Sequence, residues 1–144
     1  VGVKKFYKIG FTNARWAAGL SSFYRDNIEL MINAGYIQRK AREDRISLPA
    51  NKDNWIVEIE VKTETLKNII RKHNLQKLDL IIIDAERYDY EIIKTIPFDL
   101  IKPNIIIYEH AGLNESTIIE CNSFLRSYGY NLKITESDTI AYFN

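Results

Sequence analysis

From Trp55 to Val61 the chain reads "WIVEIEV". Val57, Ile59 and Val61 fall on one side and Ile56, Glu58 and Glu60 on the other, the period-two signature of a strand. Thr63 offers an N-cap. Leu66, Ile69, Ile70 and His73 then recur at i, i+3, i+4, i+7, one stripe of a helix. "KLDLIIID" is short and almost continuously apolar. Its length and three isoleucines predict a strand buried on both faces, as in a parallel sheet. Tyr90, Ile92, Ile93 and Ile96 predict a short helix that Pro97 ends, and "PNIIIYEH" predicts a second buried strand. Asn114 opens a further helix with Ile118, Cys121, Leu125 and Tyr128 as its inner face, and Gly129 closes it. "YNLKI", a polar turn at 136–138 and "TIAYF" predict a closing antiparallel hairpin.

This succession is an α/β pattern, and two buried strands joined by a right-handed helical crossover are expected to be parallel neighbours. Residues 1–54 are less regular and form the first of two expected parts, 1–54 and 55–144. "KKFYKI" suits a strand, and Ile28, Met31 and Ile32 suit a helix within "NIELMINAGYIQ". "ARWAAGLSSFYRDN" reads as an aromatic loop over a pocket, and "PANKDN" as a turn-rich connection.

Composition narrows the class. The 144 residues suit one domain, and 46% hydrophobic with 27% charged residues is ordinary for a globular protein. A net charge of +1 gives no global field toward nucleic acid or an acidic membrane, so neither is an expected partner. The basic run "QRKARED" carries its own acids and reads as a solvated face. Cys121 stands alone, which excludes an internal disulfide framework and suits a reducing, cytoplasmic setting. No apolar run approaches a membrane span, and "VGVKKFYKIG" lacks the apolar core of a signal peptide. The first residue is Val1, with no initiator Met, so the stretch reads as the interior of a longer gene product.

The candidate chemistry sits where the apolar strands stop. Ligands of open α/β sheets bind beyond the carboxyl ends of the strands. Asp84 and Glu86 follow one such end, and Glu109 and His110 the next. If the strands are neighbours, three carboxylates and an imidazole converge on one crevice. A carboxylate near apolar walls can take a proton from a substrate hydroxyl, and an imidazole can act as base or hydrogen-bond partner. The alternative is that Asp84 or Glu86 caps the next helix. His73 reads as structural, Asp89 and Glu91 as solvent-facing, and Cys121 as core.

"VKTETLKNIIRKHNLQKLDLIIIDAERYDYEII", "KPNIIIYEH", "LRSYGY" and "DTIAYFN" together resemble the C-terminal part of FkbM-family methyltransferases, over 56–144. "WAAGLSSFYRDN" is similar to a segment these proteins carry ahead of it. The resemblance implies a Rossmann-like class I methyltransferase sheet, S-adenosylmethionine as methyl donor, and O-methylation of a sugar or natural-product hydroxyl. The positions that match the family pattern are Asp84, Glu86 and Glu109. Three positions depart from it: Ile82 stands for a Lys, Arg87 for the Gly after the acidic pair, and Lys67 for the Asp of a "TLD" helix entry.

A cofactor site of this fold class needs a glycine-rich first turn. The six glycines, at 2, 10, 19, 35, 112 and 129, include no G-x-G pair. The expectation is a sheet truncated at its N-terminus: a fragment without the cofactor loop, inactive by itself, with an exposed sheet edge open to self-association. The cofactor-binding residues are then not among these. Two other classes stay open. One is a metal-dependent hydrolase using Asp84, Glu86, Glu109 and His110. The other is a non-catalytic interaction module using the aromatic segment 16–24.

Overall fold

A computed structural model describes residues 2–143. The chain divides into two compact units, Val1–Thr63 and Glu64–Asn144. The architecture is mixed α/β, with six α-helices among the described residues.

In the first unit β1 (Gly2–Ile9) and β2 (Ile56–Thr63) pair antiparallel, Gly2 opposite Thr63 and Ile9 opposite Ile56. Every residue of β2 has a partner in β1. The strand therefore lies in the same compact unit as the lead-in, and the two units meet after residue 63. The lead-in is also more regular than its sequence suggests. It contains α1 (Arg15–Gly19), α2 (Arg25–Asn33), α3 (Tyr36–Glu43) and a short 3₁₀ turn (Lys52–Asn54). The single helix expected around Ile28 is two, because the chain breaks at Gly35, whose φ of 72° is in the left-handed region that glycine enters without steric cost. Ile9, Ala17, Ile28, Ile37, Trp55 and Ile56 form this unit's core, with Trp16 and Leu20 packed against it. Of the aromatic segment, Trp16 packs on this core, Phe23 meets Phe6 edge-on and Tyr24 is exposed. The Trp55 indole N–H donates to the Pro49 carbonyl at 2.8 Å. Of the acids of "QRKARED", Glu43 pairs with Lys40 of its own helix at 2.8 Å, and Asp44 Oδ2 accepts from the Trp16 indole N–H at 2.9 Å.

The second unit holds α4 (Leu66–Lys72), β3 (Leu80–Ile83), α5 (Asp89–Ile93), β4 (Ile105–Glu109), α6 (Glu115–Ser127), β5 (Asn131–Ile134) and β6 (Asp138–Tyr142). The strands lie in the order β3-β4-β6-β5. β3 and β4 are parallel neighbours, as the apolar runs predict, and β4–β6 and β5–β6 are antiparallel, the latter being the closing hairpin. Alternation sends Ile83, Ile106, Tyr108 and Ala141 to one face. There they pack with Ile93 and Ile96 at α5, and with Cys121 and Leu125 of α6. Burial of each isoleucine or leucine among them contributes about 1.5–3 kcal/mol.

Three local expectations are corrected. The N-cap of α4 is Thr65, whose hydroxyl accepts from the Asn68 N–H at 3.2 Å; Thr63 is the last residue of β2. His73 follows the helix and is exposed, so the predicted stripe carries only Leu66 and Ile70 inward. β3 is not buried on both faces: Leu80 and Ile82 are exposed, Ile82 at 65%, because within this unit α5 and α6 pack on the opposite face of the sheet, where Ile81 and Ile83 lie.

Candidate active site

The pairing of Ile83 with Tyr108 brings the carboxyl ends of β3 and β4 side by side. Asp84 and Glu86 leave the first end, and Glu109 and His110 the second. The start of β6 completes the row, since Asp138 is the register partner of Glu109. The loop after β4 is tied to the hairpin turn: the N–H groups of His110 and Ala111 both donate to the Ser137 carbonyl, at 2.8 and 3.0 Å. Ser137 Oγ donates to Asp138 Oδ2 at 2.8 Å. Asp138, read from sequence as a turn residue, is thus part of the site. Register across a hairpin whose length is uncertain was needed to find it.

The loop after β3 is tightly turned. Glu86 and Arg87 both have positive φ, 49° and 73°. Arg87 therefore keeps the backbone conformation that glycine favours, at a cost of roughly 1–2 kcal/mol for a residue with a Cβ. Its side chain crosses to the neighbouring loop: a Cβ placed on Gly112 would stand 3.5 Å from Arg87 Cγ and Cδ. Asp84 is exposed. No side-chain hydrogen bond caps α5; the carboxylate that takes a backbone N–H of this loop is Asp89, the first residue of the helix. This residue was expected to face solvent, but it is fully buried. Its Oδ1 accepts from the Ala85 N–H at 3.3 Å, and its Oδ2 is buried without a hydrogen-bond partner. The turn formed by positive φ at 86 and 87 brings Asp89 back to the start of its own loop, which it braces through Ala85. Glu91 is only partly exposed and pairs with Lys94 at 2.6 Å.

The electrostatics follow from this gathering of acids. Burial, then the charges of Glu109, Asp84 and Asp89, push Glu86 up to about 7. Burial raises Asp89 to about 6 against the backbone N–H groups that favour its charged form. Glu109 is raised by burial and by Asp84, Asp89 and Asp138. Glu86 is thus poised to exchange a proton near neutrality. Burial also raises the Cys121 thiol to about 11, which leaves it an inert core residue.

The His110 ring is only partly exposed, and its Nδ1 lies 3.1 Å from Thr139 Oγ1. Among the described residues no three His, Cys, Asp or Glu side chains are placed to hold a metal ion. Asp84, Glu86, Glu109 and His110, considered from sequence for a divalent ion, do not form such a group, and His110 Nδ1 lies against Thr139 Oγ1. No helix among the described residues is long and apolar enough to cross a membrane.

A mixed α/β unit with an acidic crevice at the ends of adjacent parallel strands is a frame that many enzymes share. Here the family is defined: residues 10–132 match the model of the methyltransferase FkbM domain, and the chain belongs to that family. The match begins well upstream of 56 and so takes in most of the lead-in along with the acidic strand ends. Neither among curated proteins nor among solved structures does the chain have a match.

Proposed function

We propose that this chain supplies the acceptor side of an S-adenosylmethionine-dependent O-methyltransferase whose substrate carries a sugar-like or natural-product hydroxyl. The observation that carries the reading is the juxtaposition of Asp84, Glu86, Glu109 and His110 at the paired ends of β3 and β4 in an FkbM-family chain. Methyl transfer to oxygen requires a hydroxyl that is held in line and loses its proton, so positioning and a proton acceptor are what the protein must provide. Glu86, with its carboxyl near 7, and the imidazole of His110 are the groups suited to take that proton. Asp84 and Glu109 orient the hydroxyl and its neighbours as hydrogen-bond acceptors.

The residues present do not fit the cofactor itself. S-adenosylmethionine supplies the methyl group, and its usual cradle is a glycine-rich strand-to-helix turn. Here the turn after β3 is built by Glu86 and Arg87, and the turn after β4 contains Gly112 alone, with the Arg87 stem lying against it. We therefore read the sheet as the C-terminal half of a Rossmann-like one, with the cofactor cradle supplied by a part of the gene product outside this stretch. Calorimetric titration with S-adenosylmethionine tests this. The 144-residue chain is expected to give no binding heat and the full-length gene product a saturable one; tight binding to the short chain would contradict the reading.

A further inference from the structure

The two strands of the first unit have unequally guarded outer edges. β1 is closed at its middle by a bridge to Ser22: the Tyr7 N–H donates to the Ser22 carbonyl at 2.9 Å, and the Ser22 N–H to the Tyr7 carbonyl at 3.0 Å. β2 has no strand on its far side, since β1 and β2 alone make up this sheet among the described residues. The Gly10 N–H donates to the Trp55 carbonyl at 2.9 Å, which sets the phase of the ladder. Hydrogen-bonded and non-hydrogen-bonded pairs alternate from there, so Val57, Ile59, Val61 and Thr63 turn their backbone groups to β1. Those of Glu58, Glu60 and Lys62 turn outward. An open row of this kind is a template for another strand.

The side chains select that strand. Glu58, Glu60 and Lys62 share one face of β2, and Val57, Ile59 and Val61 the other. Glu58 pairs with Lys5 at 2.8 Å, whereas Glu60 and Lys62 are exposed and in no ion pair among the described residues. An antiparallel second copy of β2 has to keep the backbone phase, which puts the twofold axis on a residue and not between two. An axis on residue 58, 59, 60 or 62 opposes like charges. An axis on Val61 sets Glu60 of each copy opposite Lys62 of the other, and on the apolar face it sets Val61 against Val61 and Ile59 against Thr63.

We propose that β2 is an interface for a second copy of this chain: the two β2 strands pair antiparallel about a twofold axis at Val61 and join both ribbons into one sheet, β1-β2-β2-β1. The outward backbone groups of Glu60 and Lys62 then bond across the axis, and their side chains form the same ion pair twice, as an isologous contact requires. Such a pair closes on its own axis. Association that grows further with concentration belongs to the other open edge, that of β3, and Ile82→Lys is expected to leave the β2 pair in place. The inference does not rest on the methyl-transfer reading.

Cysteine capture on the 144-residue chain, in the Ile82→Lys background, reads the register. Non-hydrogen-bonded antiparallel neighbours have Cα atoms about 4.5 Å apart, within the roughly 4.4–6.8 Å that a disulfide spans. Val61→Cys is therefore expected to give a disulfide-linked dimer on a non-reducing gel after mild oxidation with oxidised glutathione. Ile59→Cys, displaced from the axis, is expected to stay unlinked, and so is the parent, whose own Cys121 is buried. Adding Lys62→Glu to Val61→Cys opposes like charges and is expected to slow linkage at least about tenfold; adding Glu60→Lys as well reverses both partners and is expected to restore it. Sedimentation velocity gives a reading without the new cysteine: a dimer for Ile82→Lys and a monomer once Lys62→Glu is added. Lys62 and Glu60 are exposed, so these two substitutions are expected to leave the fold intact. No linkage of Val61→Cys, equal linkage of Ile59→Cys, or a dimer indifferent to Lys62→Glu would overturn the proposal.

Discussion

Glu86 concentrates the energetic cost of the site. Its folded carboxyl holds a proton to about 7, whereas the ordinary value is 4.5. Between these values the folded protein binds more protons than the unfolded chain, so stability falls as pH rises through the window. Asp89 adds a loss of the same sign between 3.8 and about 6. Glu86→Gln removes the first part. We expect it to stabilise the protein above neutral pH by on the order of 1–2 kcal/mol, after allowance for partial solvent access, and to have little effect in acid. Urea unfolding of both proteins across the range reads this, and a variant less stable than wild type at high pH would contradict it. A site that keeps such a cost, with Glu109 directly opposite Asp138 and two side-chain-bearing residues at positive φ, is one where local stability has yielded to something else. Arg87 belongs to the same tension. It takes the glycine-like conformation at φ 73° while laying its stem against Gly112.

Among the elements, those with an unambiguous apolar rhythm were legible in the sequence. β4, α6 with its Asn114 cap, and the β5–β6 hairpin fall where periodicity and turn residues place them. The cap is direct, the Asn114 side chain accepting from the Thr117 N–H at 2.8 Å. What could not be read was pairing. The alternation of β2 fits a strand in any sheet, and only β1 opposite it assigns it to the first unit. The isoleucines of β3 fit burial on both faces, yet Ile82 is 65% exposed on an edge strand. The burial of Asp89 is hidden in the sequence for a related reason: a charged residue at a helix start looks solvated unless the preceding turn is known to be left-handed. The open β3 edge carries its own prediction. Unpaired strand edges with apolar side chains associate, so sedimentation velocity is expected to show concentration-dependent self-association that Ile82→Lys removes. A single monomeric species at all concentrations would contradict that.

On the scale of the whole molecule, the candidate site lies within one unit and is assembled from three loops at one end of its sheet: 84–88, 110–114 and 135–137. Asp84, Glu86, Glu109 and His110 were visible in the sequence because apolar strands ended abruptly in them. Their partners Asp89, Asp138, Thr139 and Tyr108 were not, because what recruits them is cross-strand register and a reversed turn. The central claim is that these strand ends prepare an acceptor hydroxyl for methylation. Its most direct test is transfer of labelled methyl from S-adenosylmethionine to a panel of sugar and polyhydroxylated acceptors by the full-length gene product and its Asp84→Asn variant. Asp84 is exposed at the strand end, so the variant is expected to fold and melt like the parent. The prediction is transfer to oxygen by the parent and a loss of about 100-fold or more in the variant, a barrier increase of roughly 3 kcal/mol. Near-parental turnover in Asp84→Asn, or no transfer to any hydroxyl by the parent, would contradict it.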